Sequence, residues 1–111
     1  MLFRSYEVAV NLNNLAALRH ARGDAAGAGR LYRRALALKE KLLGPDHPDV
    51  ALTLNNLAVL CKSQGEHAEA AALYRRALAV FEQALGGRHP KTTACRSNYR
   101  RLLRETASSR G

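Results

Sequence analysis

The sequence predicts an all-α protein made of two repeats, each a pair of antiparallel helices, and one capping helix. The first observation is an internal repeat: residues 8–49 align without a gap on residues 50–91, and more than half of the aligned positions are identical. The second is the spacing of the apolar residues, which follows the period of a helix throughout, with no strand-like alternation. A 42-residue period containing two helical segments is typical of a helical solenoid.

The first helix of each unit is predicted over residues 5–22 and 50–64. In the second unit, four apolar residues fall at i, i+3, i+4 and i+7, the spacing of one helix face: Leu54, Leu57, Ala58 and Cys61. A lone glycine follows each helix, Gly23 in the first unit and Gly65 in the second. Because glycine adopts a positive φ without steric cost, it can end a helix and allow a tight reversal.

The second helix of each unit is predicted to include residues 31–43 and 68–85, with an apolar stripe on one side and arginines on the other. In the first copy, Gly27 and Gly29 stand inside the first turns, where each interior glycine costs about 1 kcal/mol relative to alanine. Replacing both with their counterparts in the second copy, glutamate and alanine, is therefore expected to raise stability by about 1–2 kcal/mol.

The joint between the units predicts where the third helix begins. Pro48 has the fixed φ suited to a first helical position, and the N–H that it lacks would not be used there. His47 or Asp46 is then the expected N-cap residue, and Asp49 is favourable at the positive end of the helix dipole.

The final helix aligns with the first helix of a third unit but differs from it. Arg96 stands where the copies have leucine, and Arg100 replaces a small alanine that would let a partner helix approach closely. An arginine at that position indicates a solvated cap with no partner helix after it. We predict one array over 1–105, with repeats at about 6–43 and 48–85, a capping helix at about 90–105 and a disordered tail at 106–111. Two and a half units suggest a piece of a longer array, or a chain that covers its open first helix by oligomerising.

These residues resemble the signature of the tetratricopeptide repeat. The matching positions are Leu57-Ala58, Gly65, Ala70, Tyr74 and Ala77, with Leu15-Ala16, Gly23, Ala28, Tyr32 and Ala35 in the first copy. The long period, the paired asparagines after leucine and the joint LGPDHPDVA resemble in particular the repeats of kinesin light chains and of many bacterial and nephrocystin-like proteins. The resemblance covers about residues 6–105 and departs from the pattern at Ala25 and His67, where the family usually has an aromatic ring. It implies a right-handed superhelix whose first helices line a concave groove.

Composition limits the number of domains and the cellular location that we expect for the protein. The chain has 111 residues, enough for one domain, and is 47% apolar with no tryptophan. No apolar run approaches the roughly 20 residues that span a bilayer, and the first residues lack the apolar core of a secretion signal. We therefore expect a cytoplasmic protein with no membrane partner. The two cysteines, Cys61 and Cys95, are expected to be free thiols in helices.

The motifs that would indicate catalysis or a cofactor are missing. The glycines at 23–29 resemble a phosphate-binding loop only superficially, because no strand precedes them and no Lys-Ser/Thr follows. His47 and His89 recur one unit apart, without cysteines or carboxylates at zinc-ligand spacing, and are interpreted as joint residues. We expect no enzyme activity, no catalytic residues, no cofactor and no metal.

Asparagine recurs at one equivalent position in all three units, as Asn14, Asn56 and Asn98. Its amide offers donors and an acceptor together, which suits the backbone of an extended peptide, and the resemblance implies this role in the groove. The alternative is that the asparagines bridge neighbouring helices or persist by duplication. The predicted groove residues are Asn13, Asn14, Ala17, His20, Asn55, Asn56, Val59, Lys62, Asn98, Arg101 and Arg104.

The net charge of +9 is predicted to divide between two faces. The groove is expected to be apolar at one end and basic at the other, and the second helices carry further arginines on the convex side: Arg33, Arg34, Arg75 and Arg76. These charges either solvate an alanine-rich surface or attract acidic partners.

Three functions of different classes follow from this surface. The leading hypothesis is a protein interaction scaffold that binds an extended, acidic peptide with an apolar anchor. The second is self-assembly through the open first helix. Nucleic-acid binding is the least favoured, because Tyr32 and Tyr74 fall on the core stripe and leave no stacking groups among the arginines.

Overall fold

Two antiparallel helix pairs and a fifth helix make up the computed structural model, which describes residues 2–110 and the side chains of residues 4–108. The helices are α1 (Leu2–Ala21), α2 (Ala25–Leu43), α3 (Pro48–Ser63), α4 (His67–Leu85) and α5 (Pro90–Arg110). Within each pair the two helices pack together, and α2 and α4 each pack on the first helix of the next unit. This stacking confirms the predicted all-α helix-pair solenoid. No helix in the described range is long and apolar enough to cross a membrane.

The helix ends follow from the turn and cap residues. Gly23 and Gly65 have φ of 89° and 80°, the left-handed region expected where each pair reverses. At the joint, His47 is the N-cap residue of α3, and its Nδ1 accepts a hydrogen bond from the backbone N–H of Asp49 at 3.0 Å. His89 repeats this cap one unit later, accepting from the N–H of Lys91 at 3.1 Å. Both recurring histidines therefore act at the joints.

The N-terminal cap of α2 changes the gain in stability expected from replacing Gly27 and Gly29. The Asp24 carboxylate caps α2 by accepting from the N–H of Gly27 at 2.9 Å. A Cβ added at Gly27 would overlap that carboxylate, whereas a Cβ at Gly29 would meet only the Leu60 side chain, at 3.5 Å. The two glycines, which the sequence treats alike, therefore differ: one allows the cap to form and the other is a plain interior glycine.

We expect Gly29→Ala to raise the free energy of unfolding by about 1 kcal/mol, because alanine is the better helix former and its methyl group fits. Gly27→Ala should bring no gain, since the improved propensity is offset by loss of the Asp24 cap, worth about 1 kcal/mol. Urea denaturation of both variants tests this. Equal stabilisation by the two changes would show that the Asp24 cap contributes nothing.

The C-terminal end of the array differs from the sequence prediction. Residues 106–110, predicted as part of a disordered tail, continue α5 as far as Arg110, and Gly111 lies outside the described residues. The Thr106 hydroxyl donates to the carbonyl of Leu102 at 3.0 Å, as a side chain within a helix does. The physical reason is that no glycine or proline interrupts the chain before residue 111, so nothing ends the helix earlier.

Small side chains allow the helices to approach each other. Eight alanines among the described side chains are fully buried: Ala9, Ala16, Ala28, Ala35, Ala51, Ala58, Ala70 and Ala77. They belong to the equivalent positions of both units, so both pairs pack in the same way. Larger buried residues fill the space around them, among them Leu54, Leu57, Tyr74 and Phe81. The result is one continuous core that runs from the first unit into α5.

One buried group in α5 has no partner. The Thr92 hydroxyl oxygen is inaccessible and makes no hydrogen bond to any other described residue. The equivalent residue one unit earlier is Val50, which is also fully buried. Thr92 therefore occupies a site shaped for valine and leaves a polar atom unsatisfied there.

Replacing Thr92 with valine should raise the free energy of unfolding by about 1–2 kcal/mol, because the isosteric change removes an unpaired buried hydroxyl. Thr93→Val is the matched control: its hydroxyl is exposed and donates to the carbonyl of Pro90 at 3.0 Å, so its loss should not stabilise the protein. Thermal and urea unfolding of both variants would check this. A destabilised Thr92→Val protein would mean that the hydroxyl has a partner.

Candidate functional site

The first helices α1, α3 and α5 lie side by side, and a regular set of side-chain contacts joins them. Each contact links residues 43 positions apart: Tyr6 to Asp49, His20 to Ser63 at 3.4 Å, Asn55 to Asn98 at 3.4 Å, and Lys62 to Glu105 at 3.0 Å. Because the sequence period is 42, a residue on one first helix meets the residue one position further along in the next unit. This register fixes which side chains remain free on the shared face.

The asparagines divide into two groups. Asn13 is buried, and its Oδ1 accepts from the Thr53 hydroxyl at 3.0 Å; Asn55 accepts from Asn98 across the α3–α5 contact. These three hold neighbouring helices together, as one of the two sequence interpretations anticipates. Asn14 is exposed and Asn56 is half-buried, and neither side chain hydrogen-bonds to another residue of the described chain. Of the predicted groove asparagines, Asn14 and Asn56 are the two whose amides have no partner among the described residues.

The predicted basic end of the groove has fewer free charges than the sequence predicts. Lys62 is paired with Glu105, and its side chain is only 24% exposed, so it is not the free charge that the sequence predicts. The reason is the contact register: Glu105 follows Lys62 by 43 positions and therefore stands opposite it on α5. Arg101 and Arg104 on α5 are exposed. The equivalent residues of Arg101 in the earlier units are Ala17 and Val59, which are also exposed and apolar.

The arginines of the second helices mostly act within the molecule. Three of them contact a neighbouring helix: Arg33 to Glu69 at 2.8 Å, Arg76 to Glu40 at 3.1 Å, and Arg75 to the Tyr99 hydroxyl at 3.5 Å. The hydrogen bond from Arg33 lowers the pKa of Glu69, so that carboxylate stays ionised. Arg34 is exposed and makes no ion pair with the described side chains. In the predicted convex basic set, two arginines are therefore ion-paired, Arg75 is hydrogen-bonded to a neutral group, and Arg34 has no partner among the described side chains.

Both cysteines are free and buried, as the sequence predicts. The Cys61 thiol lies within 4.8 Å of the carboxylates of Glu66 and Glu69. Among the described residues, these three side chains are the group that most resembles a metal-binding site. Burial raises the pKa of Cys61 to about 11, so the thiol keeps its proton near neutral pH, and Arg33 already occupies Glu69. A protonated thiol and a paired carboxylate are poor metal ligands.

Sequence reasoning did not find the polar residues at the first junction between units. Lys39 is buried, and its Nζ donates to the Thr53 hydroxyl at 3.0 Å and lies 3.4 Å from the carbonyl of Asp49. Thr53 in turn donates to Asn13, so three side chains form a buried chain. At the next junction the equivalent residues are Phe81 and Cys95, both buried. The sequence did contain a signal for this buried chain: Lys39 aligns with Phe81, which belongs to the apolar stripe of the second helix.

Comparison with known proteins agrees with this geometry. The family model described as Tetratricopeptide repeat matches residues 7–83 and 49–108. The fold is similar to that of BtubC (BKLC) from P. vanneervenii, with a TM-score of 0.84, 24% identity and coverage of 95% of this chain and 44% of that one. It is also similar to a putative kinesin light chain from Podosopora anserina with nearly identical TPR-like repeats, with a TM-score of 0.81 and 23% identity.

The second match covers 89% of this chain and 47% of that one, so the chain spans less than half the length of either structure. No curated protein matches the sequence. The two structural matches support the helix-pair solenoid architecture. Because the family model covers most of the sequence, the chain belongs to the tetratricopeptide repeat family.

Proposed function

We propose that this chain is a protein interaction scaffold that binds an extended, acidic peptide across α1, α3 and α5. The family is in general one of protein–protein interaction modules, and the choice of ligand is our inference from this surface. The observation that carries it is the pair of unengaged amides, Asn14 and Asn56, on the face where the other asparagines are occupied. A polar amide without a protein partner, next to exposed apolar residues, suits a ligand that carries both kinds of group.

The peptide backbone would run across the helices. Packed helices lie about 8–10 Å apart, and an extended chain rises about 3.3 Å per residue, so about three peptide residues separate one helix from the next. Each asparagine can donate through its Nδ2 to a peptide carbonyl and accept through its Oδ1 from a peptide N–H. Such contacts hold the backbone without reading its sequence.

Side-chain preference comes from the residues beside the asparagines. Ala17 and Val59 offer exposed apolar surface on α1 and α3, and this surface suits an apolar anchor of the ligand. Arg101 and Arg104 on α5 are exposed cations, and they favour carboxylates at that end of the peptide. The proposed ligand therefore has its apolar residue over α1 and α3 and its acidic residues over α5.

Asn56→Ala should weaken binding of such a peptide by about 1–3 kcal/mol, because it leaves peptide amide groups unpaired in a partly dry groove. The measurement is a calorimetric titration with acidic peptides of about ten residues that contain one leucine or phenylalanine, long enough to cross three helices. Folding should hardly change, since alanine is the better helix former. Unchanged affinity of the variant for a peptide that the parent binds would remove Asn56 from the site.

Two matched variants separate the roles within the groove. Arg101→Gln should mainly lower the association rate and flatten the dependence of affinity on salt, as expected for an exposed charge. Asn55→Ala removes the contact to Asn98 and should lower stability more than affinity. If Asn55→Ala and Asn56→Ala reduced affinity equally without loss of stability, the division between framework and binding asparagines would be wrong.

The alternative functions have less support. Nucleic-acid binding through the arginines would need exposed aromatic rings for stacking, and Tyr32 and Tyr74 are buried in the core. Titration with single-stranded DNA beside an acidic peptide at the same ionic strength tests this alternative. Self-association is supported by one observation, the exposed apolar residues of α1. We interpret these residues instead as a docking site for another protein.

A further inference from the structure

The outward side of α1 exposes residues that the next unit buries. Val8, Leu15 and Leu18 are 44%, 41% and 47% exposed, whereas their equivalents Val50, Leu57 and Leu60 on α3 are 0%, 0% and 1% exposed. On α3, this side is covered by the preceding unit, whose helix α2 packs against it. The same side of α1 is shaped for a helix in the same place.

A shallow groove of about 370 Å³ lies beside this stripe, between α1 and α2. We call the whole surface the end face, and it comprises Val8, Leu12, Leu15, Leu18, Arg34 and Lys41. Its charged members, Arg34 and Lys41, are exposed cations that make no ion pair with the described side chains. The end face thus combines an apolar floor with an unpaired basic edge.

The second unit indicates what Arg34 would bind. Its equivalent, Arg76, pairs with Glu40 of the preceding second helix at 3.1 Å. Glu82, the equivalent of Glu40, likewise reaches forward to Arg96 on α5 at 3.5 Å. Each second helix in the chain therefore presents a glutamate to an arginine of the following unit, although Arg96 stands on a first helix at the position of Leu12 and Leu54. Arg34, the counterpart of Arg76, has no such glutamate among the described side chains.

We propose that the end face is a docking site for an amphipathic helix of a partner protein that carries a carboxylate opposite Arg34. The two second helices give the pattern of such a helix: leucine, a large residue three positions on, glutamate directly after it, and leucine three positions further. In α4 these residues are Leu78, Phe81, Glu82 and Leu85, and in α2 they are Leu36, Lys39, Glu40 and Leu43. This site is separate from the peptide groove and does not depend on it.

Charge argues for a different partner and against a second copy of this chain. A two-fold dimer through the end face would place Arg34 and Lys41 of one molecule near the same cations of the other. The residues that make up the end face include no carboxylate to offset that repulsion, and Glu40 on α2 is already paired with Arg76. An acidic helix from another protein satisfies both the apolar floor and the basic edge.

The test uses a peptide with the sequence of residues 67–85, which contains the complete pattern. We expect it to bind the parent protein in a fluorescence titration and to bind an Arg34→Glu variant at least tenfold more weakly. Arg100→Glu makes the same charge change at an exposed position on the opposite end, and should leave the affinity within about twofold. A peptide carrying Glu82→Arg should recover binding to the Arg34→Glu protein, which only a direct pair would do.

Leu15→Asp and Leu18→Asp place a charge on the apolar floor, and each should abolish binding while circular dichroism shows an intact fold. Three results would overturn the proposal. Binding that survives both leucine variants would place the peptide elsewhere, and equal losses from Arg34→Glu and Arg100→Glu would reduce the effect to net charge. A parent protein that sediments as a dimer, and as a monomer after Leu15→Asp, would show that a second copy occupies the end face.

Discussion

Leu57→Arg should leave the chain largely unfolded at room temperature, with a loss of about 4 kcal/mol or more. Leu57 is fully buried between the units, so the substitution places an unpaired guanidinium in an apolar core, which is among the most destabilising changes known. A small domain has only about 5–15 kcal/mol of stability to lose. Circular dichroism and urea denaturation would measure the effect.

The repeat supplies two controls for this change. Leu15→Arg is the same substitution at the equivalent position one unit earlier, where the side chain is exposed, and it should cost less than about 1 kcal/mol. Arg100→Ala removes an exposed arginine from α5 and should be nearly neutral. If Leu15→Arg were as damaging as Leu57→Arg, the outward side of α1 would be covered in solution.

The second large effect is expected at the buried chain of Lys39, Thr53 and Asn13. Thr53→Val removes both the acceptor of the Lys39 ammonium and the donor to Asn13, and should cost about 2–4 kcal/mol. Lys39→Met should be neutral or stabilising, because it exchanges a buried charge for an apolar side chain of similar size. In the Lys39→Met background, Thr53→Val should cost about 1–2 kcal/mol less than it does alone.

The parent protein and the Lys39→Met variant also test whether burial penalises the charge of Lys39. Burial lowers the pKa of this ammonium below its ordinary value of 10.5 in the folded state, so the unfolded chain binds the proton more tightly. Stability of the parent should therefore rise relative to Lys39→Met as the pH increases through the lowered pKa towards 10.5. Parallel urea denaturations between neutral pH and that value would show it. A constant difference would mean that the ammonium is not penalised by burial.

The fold was predictable because the helix, turn and cap signals in the sequence recur with the same 42-residue period as the repeat. The turn glycines, the Pro48 start and the apolar stripe each indicate the same helix-pair unit, and each was found where expected. The C-terminal end was not predictable by analogy with the repeats, because a terminal segment has no second copy to align. The absence of a helix breaker before Gly111 was a better guide than the expectation of a frayed tail.

The candidate site was predicted only in outline. Equivalence in sequence suggested that Asn14, Asn56 and Asn98 have one role, yet only the first two keep their amides free. The reason is that helix neighbours are set by packing: Asn98 lies against Asn55, a residue that is not its counterpart in the repeat. Sequence periodicity identifies the face of a helix, but not which of its polar groups a neighbouring helix will engage.

The contacts between residues 43 apart also bound the proposed peptide groove. Tyr6 and His20 form one edge of α1, and on α3 the residues that meet them, Asp49 and Ser63, form the opposite edge. Because consecutive residues on a helix are about 100° apart, the side chains between these two edges point away from both neighbouring units. Ala17, Val59 and Arg101 lie among these side chains. They can change without disturbing the stacking of the units, so selection for a new ligand would act first on these positions.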